Sequence, residues 1–358
     1  MMEQVRKKLV LENGMSFTGA GFGSKGQAVG EIIFNTAMVG YQEIISDPSY
    51  AGEIVVMTYP LMGQYGIIEE DSESKTSLLK GLVVRECCEA PSNFRYTKTL
   101  SEELEERGIA GVTGLDTRML TRIIRDNGRM KAAIVDESTT DEEALTMIRE
   151  YDSDVNWSEK VSCTSRWFSR TPHHKYDVVV VDCGLKHGIV RELTKRACNV
   201  TVVPFSTTAE EVESFNPDGI LLSCGPGNPH MLPGLVDLIN ALKGRYPIFG
   251  ICLGHELIAL SYGATIEELS SGHHGDQPVC ECATGRIITA AHNHNFTVNG
   301  ESAVAGGLTI THRDLIDGTV EGLECEADRI FSVQFHPEGC PGPQESGLFD
   351  KFIKMMER

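Results

Sequence analysis

The second half of the chain alternates short apolar runs with amphipathic stretches. Apolar runs that show no polar alternation are typical of strands buried on both faces, as in parallel sheets. Strict strand–helix alternation predicts right-handed crossovers and a doubly wound, mostly parallel α/β sheet. The strand-like runs are residues 177–182, 199–205, 219–223 and 247–252, and the helical stretches are 188–197, 209–215 and 235–242.

The first half has a different pattern, in which strands and helices mix without strict alternation. An Asn13-Gly14 turn between two apolar runs predicts a β-hairpin. We predict an α+β domain. Further strand-like runs are residues 28–34, 53–58 and 81–85, and the predicted helices are 100–107, with Ser101 as N-cap and Gly108 as its end, 116–125 and 141–151.

Three glycines, Gly21, Gly23 and Gly26, match the spacing of a dinucleotide-binding fingerprint. That fingerprint must open a helix, but a strand-like run follows it here. We therefore interpret the segment as a loop and predict no dinucleotide cofactor. The change in pattern places an N-terminal domain at residues 1–150, a linker at 151–175 and a C-terminal domain at 176–358.

Charge and composition exclude several classes of function. The net charge of −19 argues against a nucleic-acid partner. Eleven scattered cysteines, an odd number, suit a reducing compartment, so we expect a cytoplasmic protein. Residues 1–8 lack the apolar region of a signal peptide, and no apolar run is long enough to span a bilayer, so no membrane association is expected.

The strongest chemical signal is the sequence Gly-x-Cys-x-Gly formed by Gly250, Cys252 and Gly254. It is the thiol counterpart of the strained strand-to-helix turn that presents a nucleophile. The N-terminus of the following helix favours a thiolate. The alternative is a buried, inert cysteine between a strand and a helix.

A cysteine nucleophile needs a base, and the base needs an orienting partner. His336 is the best candidate base because Pro337 favours extended geometry, which lets Glu338 approach the His336 ring from the same side. Cys252, His336 and Glu338 thus form a candidate Cys-His-Glu triad. The alternative for His336 is a structural histidine at a strand end.

Acyl transfer also needs donors for an oxyanion. The backbone N–H of Leu253 follows the nucleophile, and the Gly225-Pro-Gly227 loop can supply a second from Gly225. Such a donor contributes about 2.7–4 kcal/mol in comparable sites. The alternative for this loop is an ordinary turn.

A group of histidines and cysteines raises the question of a metal site. Its members lack zinc-type spacing, and a plain hairpin with core cysteines explains them better, so we predict no metal. The residues are Cys280, Cys282, His273, His274, His292 and His294.

GICLGH at residues 250–255 and FHPE at 335–338 resemble the class I glutamine amidotransferases. NTAMVGYQEI at 35–44, DPSY at 47–50, LDTRMLTR at 115–122 and GHHG at 272–275 resemble, more narrowly, the carbamoyl-phosphate synthase small-chain family. The resemblance covers nearly the whole chain and extends to its N-terminal half, which would dock a large synthetase subunit.

The resemblance implies that glutamine is hydrolysed to glutamate and ammonia through a glutamyl thioester. Ammonia would pass through a tunnel to the large subunit, which makes carbamoyl phosphate for arginine or pyrimidine synthesis. This chain would carry no cofactor; ATP, Mg and bicarbonate would bind the large subunit. Cys252, His336 and Glu338 would be catalytic. The glutamine pocket would comprise Ser49, Gly225, Gly227, Leu253, Glu256, Asn293, Asn295 and Phe296.

The chain departs from the family pattern inside that pocket. Glu256 replaces a glutamine, Asn295 replaces a glycine in the run 292–296, and the segment at 276–277 is one residue short. A carboxylate at Glu256 would repel the α-carboxylate of glutamine and raise the pKa of the thiol, so we expect weaker glutamine binding. Asn is among the residues that best tolerate positive φ, so Asn295 could take the place of that glycine.

Three other functions stay open at this point. The altered pocket suggests a glutaminase-impaired regulatory or scaffolding subunit, although the intact triad argues against it. An amidotransferase of another pathway would lack this N-terminal domain. A thiol hydrolase, such as a gamma-glutamyl peptidase, would share the nucleophile turn but release an amine.

Overall fold

The chain divides into two units, Met1–Val155 and Asn156–Arg358. The computed structural model describes residues 5–153, 155–339, 342–345 and 347–357. The boundary falls inside residues 151–175, the predicted linker, and part of that segment forms a helix and a strand. Residues 1–4, on which the signal-peptide argument partly rests, and Arg358, the end of the predicted C-terminal domain, lie outside the described residues.

Seven strands of the N-terminal unit close into a barrel in the order β1-β2-β8-β6-β4-β3-β9, and two short strands pair separately. The strands are β1 Arg6–Leu11, β2 Ser16–Gly23, β3 Ala28–Asn35, β4 Glu53–Met57, β5 Leu61–Met62, β6 Gly81–Val84, β7 Glu86–Cys87, β8 Ala110–Thr113 and β9 Met130–Asp136. The helices are α1 Tyr41–Ser46, α2 Leu100–Arg107, α3 Thr117–Asn127 and α4 Asp141–Glu150.

Strand β4 of the barrel carries apolar side chains on both of its faces. In β4, Ile54 and Val56 pack with side chains from the other barrel strands, whereas Val55 and Met57 pack toward α1 and α2. Alternate residues of a strand point to opposite faces, so each strand supports two apolar clusters. Closure leaves these seven strands no free edge.

Two local predictions in this unit are wrong. Gly21 and Gly23 lie in β2 rather than in a loop. Helix α2 is capped by Thr99, whose hydroxyl accepts from the Glu102 N–H at 3.2 Å while the Glu102 carboxylate accepts from the Thr99 N–H at 2.7 Å. Ser101 instead accepts a hydrogen bond from the Gly23 N–H. A reciprocal capping box satisfies two backbone N–H groups at the start of the helix. A serine inside the first turn cannot satisfy both of them.

The C-terminal unit is built on one ten-stranded sheet in the order β10-β12-β11-β13-β14-β19-β18-β16-β15-β17. Its strands are β10 Trp167–Ser169, β11 Tyr176–Asp182, β12 Cys198–Pro204, β13 Gly219–Leu222, β14 Ile248–Ile251, β15 Ile266–Glu281, β16 Ile287–Val298, β17 Thr309–Asp314, β18 Val320–Cys325 and β19 Ile330–Val333. Its helices are α5 Trp157–Val161, α6 His187–Lys195, α7 Ala209–Ser214, α8 Pro233–Leu242, α9 Leu253–Ser261, α10 Gly300–Ala305 and α11 Gly347–Met356.

The predicted fold class is confirmed. The five strands β12, β11, β13, β14 and β19 run parallel, and antiparallel strands extend the sheet on both sides. Both faces of the parallel strands are covered: Val178 and Val180 belong to one apolar cluster, and Val179 and Val181 to the other. The predicted elements between residues 177 and 252 are present, and their ends differ by at most two residues.

Within the part of the chain that the structure describes, no helix is both long enough and apolar enough to cross a bilayer.

The capping box of α2 leads to a stability prediction. We expect Thr99→Ala to lower the opening free energy of α2 by about 1 kcal/mol, because the N–H of Glu102 loses its acceptor. Hydrogen exchange of the α2 amides measures this change. Thr99→Ser, which keeps the hydroxyl, should remain close to wild type. Equal protection in Thr99→Ala and Thr99→Ser would contradict the assignment.

Candidate active site

Cys252 occupies a sharp turn between a strand and a helix. Strand β14 ends at Ile251, α9 begins at Leu253, and Cys252 between them has φ 54° and ψ −107°. Positive φ is uncommon in a residue with a side chain, and such strain clusters at functional sites. The thiol is buried, with the residue 2% exposed. The predicted nucleophile turn is thus the geometry that the structure shows.

The two flanking glycines permit this turn because neither position has room for a side chain. A Cβ on Gly250 would lie 2.6 Å from the carbonyl oxygen of Gly254. A Cβ on Gly254 would collide with the carbonyl oxygen of Leu222 in β13. The glycines therefore let the first turn of α9 pack directly on the sheet. That contact fixes Cys252 at the carboxyl end of β14.

Cys252 and His336 both contact one short stretch of β16. The N–H of Cys252 donates to the carbonyl of Val333 in β19 at 2.9 Å, and its Sγ lies 3.6 Å from the carbonyl oxygen of Asn293. The N–H of His336 donates to the carbonyl of Ala291 at 2.8 Å. Residues two apart in a strand are separated by about 7 Å. The sheet therefore brings the predicted nucleophile and the predicted base to one place.

The predicted partner of His336 lies where the sequence placed it. Nδ1 of His336 is 2.8 Å from Oε1 of Glu338, and both side chains are buried. A buried carboxylate accepts, so Nδ1 carries a proton, and the neutral form of the ring has its lone pair on Nε2. The base is thus held in the tautomer that general-base catalysis requires.

The ammonium group of Lys186 contacts the carboxylate of this pair. Its Nζ is 3.0 Å from Oε1 of Glu338, and the lysine side chain is 1% exposed. Burial alone would raise the pKa of the Glu338 carboxyl, but the charge of Lys186 and the hydrogen bond from His336 outweigh burial and hold that pKa at about 2. Glu338 therefore remains ionised across the physiological range.

Sequence reasoning missed Lys186 and two further neighbours. Lys186 follows β11 at its carboxyl end, where ligand-binding loops of such sheets lie, and that position was its only signal. Cys224 follows β13, and its Sγ lies within 4.8 Å of ligand atoms of His336 and Glu338. Gln334 follows β19, and its amide nitrogen is 4.0 Å from Sγ of Cys252. Three strand ends thus contribute unpredicted side chains.

Gln334 also connects the nucleophile to Glu256. The Gln334 amide donates to Oε1 of Glu256 at 2.9 Å, and Glu256 is 2% exposed. Burial raises the pKa of Glu256 to about 8, which the hydrogen bond from Gln334 only partly offsets. Glu256 is therefore mostly a neutral acid near pH 7. The raised pKa of Glu256 therefore disfavours the ionised carboxylate expected at this position.

Gly225 and Leu253, the residues predicted to supply the oxyanion donors, lie close to each other. Leu253 is the first residue of α9, so its N–H has no acceptor within the helix. A Cβ on Gly225 would lie 3.0 Å from the Leu253 side chain and would collide with the Cys183 carbonyl. Gly227 has φ 96°, which favours glycine. The loop after β13 therefore packs against the start of α9, where donors for an oxyanion are needed.

The remaining residues predicted for the pocket are described within their own units. The side-chain oxygen of Asn293 accepts a hydrogen bond from Nδ1 of His274 at 2.8 Å, and its backbone carbonyl lies against the thiol of Cys252. Asn295 lies in β16 and is not among the residues with positive φ, so the expected left-handed position is not needed. Phe296 follows it in the same strand. Ser49 is buried in a 3-10 turn of the N-terminal unit, and its place in the pocket remains a prediction.

The histidines considered as metal ligands form a different group from the one that the sequence suggested. His273, His292 and His294 meet Glu321, with ligand atoms within 4.8 Å of one another. Cys280 and Cys282 lie further along the same hairpin, outside this group. The sequence did not identify Glu321 as a member of this group, because Glu321 lies 27 residues after His294.

Together these groups suit nucleophilic acyl transfer. A thiol at a helix N-terminus, an imidazole held in the basic tautomer and nearby backbone N–H groups are the parts of a cysteine hydrolase site. The neutral Glu256 and the amide of Gln334 add polar groups that can orient a substrate.

Comparisons with protein families assign the two units separately. Residues 9–134 match the family described as carbamoyl-phosphate synthase small chain, CPSase domain. Residues 179–355 match the family described as glutamine amidotransferase class-I.

Full-length relatives carry both parts. The chain is 46% identical over 355 residues to the carbamoyl phosphate synthase pyrimidine-specific small chain of Bacillus subtilis, covering 99% of this chain and 96% of that one. It is 45% identical over 354 residues to the carbamoyl phosphate synthase small chain of Bacillus caldolyticus, covering 98% and 97%. A solved structure of a glutamine amidotransferase from Thermotoga maritima aligns with TM-score 0.41 and 15% identity, covering 52% of this chain and 100% of that chain.

The buried ion pair at Glu338 leads to a second stability prediction. We expect Lys186→Met to destabilise the C-terminal unit by about 3–5 kcal/mol, because it leaves a buried carboxylate without its cationic partner. Urea unfolding measures the loss. Lys195→Met is the matched control, since that lysine lies in α6 with its side chain 63% exposed. Equal effects of the two substitutions would rule out a special role for the Lys186–Glu338 pair.

Proposed function

Because the chain belongs to the family of carbamoyl-phosphate synthase small chains, we propose that it hydrolyses L-glutamine and supplies ammonia to a large synthetase subunit. The observation that carries this proposal is the convergence of Cys252 and the His336–Glu338 pair on residues 291–293 of β16. The amidotransferase domain provides the chemistry, and the N-terminal domain distinguishes this family from other amidotransferases.

The first half of the reaction forms a thioester. Nε2 of His336 accepts the thiol proton of Cys252, and the sulfur attacks the side-chain amide carbon of glutamine. Glu338 stabilises the imidazolium that results, since its carboxylate stays charged. The imidazolium then protonates the leaving nitrogen, and the C–N bond breaks to release ammonia.

The oxyanion of the tetrahedral intermediate accepts hydrogen bonds from the N–H groups of Leu253 and Gly225. Water then attacks the glutamyl thioester, with His336 again as base, and glutamate leaves with the thiol restored. Donors of this kind act on charge that develops in the transition state, so they accelerate the step rather than only binding substrate.

A large subunit completes the proposed assembly. It would bind ATP, Mg and bicarbonate and use the ammonia to make carbamoyl phosphate, so this chain needs no cofactor for glutamine hydrolysis. The chain spans at least 96% of the length of the two small-chain relatives named above. We accordingly propose a heterodimer in which the N-terminal domain docks the large subunit.

The alternative is a subunit that docks the large chain but hydrolyses glutamine poorly. Its motivation was a carboxylate at Glu256 facing the substrate. With the pKa of Glu256 raised to about 8, that charge is mostly absent at neutral pH. The protonated acid can donate and accept hydrogen bonds much as a glutamine does, which favours the active enzyme.

The catalytic proposal predicts the effect of removing each triad member. We expect Cys252→Ser to lower kcat for ammonia release by at least about 1,000-fold, and His336→Asn by about 100-fold or more, because both act in the bond-making step. Ammonia and glutamate are measured together, in the presence and absence of the large synthetase chain. An electrophilic ketone analogue of glutamine should label wild type but not Cys252→Ser.

Cys282→Ser is the matched control, since it removes an exposed cysteine of the same unit. It should keep wild-type kinetics. Glutaminase activity that persists in Cys252→Ser would end the proposed mechanism. Wild type that releases no ammonia even with the large synthetase chain would support the scaffolding alternative.

The raised pKa of Glu256 predicts a pH-dependent effect of Glu256→Gln. Below pH 7 the acid is neutral, so we expect both proteins to have similar kcat/KM for glutamine. Above pH 8 the wild-type carboxylate is ionised and repels the substrate, so the variant should gain by up to about tenfold, or 1.4 kcal/mol.

The measurement is the ratio of the two kcat/KM values between pH 6 and 9. Glu301→Gln, an exposed carboxylate on α10, is the control and should give a flat ratio. A ratio for Glu256→Gln that stays constant across this range would show that ionisation of Glu256 does not control glutamine binding.

A further inference from the structure

Four side chains from three strands meet on one side of the β15–β16 hairpin. They are His273, His292, His294 and Glu321, all buried, and their ligand atoms all lie within 4.8 Å of one another. Glu321 is 0% exposed, and no lysine or arginine is paired with it among the described residues. Three imidazoles around one carboxylate are therefore enclosed together in the core.

The register of the hairpin produces this arrangement. His273 of β15 pairs directly with His294 of β16, and His292 lies two residues before His294 on the same face. The ring centroids are 4.9 Å apart for His273 and His294, and 5.5 Å for His292 and His294. Glu321 enters from β18. The group is thus fixed by strands rather than by mobile loops.

The outward ring nitrogen of each histidine has a hydrogen-bond acceptor. Metal-binding histidines are oriented in this way, since the outer N–H bond fixes the tautomer and leaves the inner nitrogen as a ligand. The pairs are His292 Nδ1 with the Ala290 carbonyl at 2.9 Å, His294 Nδ1 with the Phe296 carbonyl at 2.7 Å, and His273 Nε2 with the Asp317 carboxylate at 2.9 Å.

The inner nitrogens face one another and the carboxylate. Nδ1 of His273 and Nε2 of His294 have no hydrogen-bond partner among the described residues, although both are buried. They lie 3.7 Å and 3.9 Å from Oε1 of Glu321, and Nε2 of His292 is 3.1 Å from Oε2. Buried polar atoms without partners are uncommon and require an explanation, and a bound ion is one that also accounts for the converging nitrogens.

We propose that His273, His292, His294 and Glu321 bind a divalent transition-metal ion, with Zn²⁺ the best fit. Tetrahedral coordination with Zn–N bonds of ~2.0–2.1 Å places ligand atoms about 3.4 Å apart, close to the separations seen here. Three imidazoles and one carboxylate match the ligand preferences of zinc, whereas Mg²⁺ and Ca²⁺ prefer oxygen ligands.

The position of the site indicates a structural role. Four protein ligands fill a tetrahedral ion, which leaves no coordination position for a reacting water. Asn293, whose carbonyl contacts the thiol of Cys252, lies between two of the ligands on β16. The N–H of Gln334 donates to the carbonyl of Glu321 at 3.0 Å. The ion would therefore fix the two segments that contact the nucleophile.

The first test is the metal content of the full-length protein. We expect about one equivalent of zinc per chain after incubation with Zn²⁺ and removal of the excess, as for a preformed four-ligand site. Elemental analysis by mass spectrometry measures it. Chelation should remove the ion and lower Tm, and added Zn²⁺ should restore Tm. Zinc below about a tenth of an equivalent would overturn the proposal.

Substitutions then locate the ion. His292→Gln and Glu321→Gln keep polar side chains of similar reach but remove ligands, and each should lower zinc affinity at least about tenfold. His230→Gln, an exposed histidine of the same unit, is the matched control and should keep full occupancy. Circular dichroism checks that each variant is folded.

The experiments must also distinguish this site from a second group of possible metal ligands. Cys224, His336 and Glu338 also lie within 4.8 Å of one another. Cys224→Ser should leave zinc content unchanged if the ion sits at Glu321. Zinc that is lost in Cys224→Ser and retained in Glu321→Gln would overturn the assignment.

Substitution with Co²⁺ gives an independent measurement. A four-coordinate nitrogen and oxygen site should produce intense visible absorption in wild type, and Glu321→Gln should lose it. An unchanged spectrum in Glu321→Gln would contradict the proposed ligand set. The competing arrangement, a hydrogen-bonded network containing a protonated imidazole and no ion, predicts no cobalt spectrum and no effect of chelation on Tm.

Discussion

The backbone conformation of Cys252 is the constraint on which the active site depends. A side-chain-bearing residue at positive φ costs about 1–3 kcal/mol, and surrounding structure must hold it there. Here the N–H of Cys252 is bonded to Val333, and α9 packs through Gly254 onto Leu222 of the neighbouring strand. The position of the thiol is thus set by close contact between a helix and a parallel sheet. Any side chain at Gly250 or Gly254 would separate them.

The candidate active site contains two buried carboxyl groups in different charge states. Glu338 contacts Lys186 and His336, so the carboxylate is favoured despite burial. Glu256 contacts the neutral amide of Gln334, so burial prevails and the acid is favoured. Environments that push the pKa values of two acids apart assign them different roles. Glu338 can stabilise a cationic imidazole, whereas Glu256 can only act through hydrogen bonds at neutral pH.

Much of this could be predicted from the sequence, and what could not follows a physical pattern. Uninterrupted apolar runs identified the parallel strands because burial on both faces leaves a local signature. The spacing of Gly250, Cys252 and Gly254 is equally local. Lys186 gave no signal beyond its position after β11, and Gln334 was not singled out, because their importance comes from neighbouring strands that only the register brings together. Closure of the N-terminal barrel depends on the same long-range pairing.

The β15–β16 hairpin shows how strongly function depends on register. Side chains alternate between faces, so His274 and Asn293 bond to each other on one face while His273 and His294 lie on the opposite face, beside Glu321. A slip of one residue would exchange the two sets completely. An ion bound to ligands from β15, β16 and β18 would oppose such a slip, because no shifted register keeps all its ligands. The position of Asn293, a predicted pocket residue, would then depend on metal binding by His292 and His294 on the other face of its own strand.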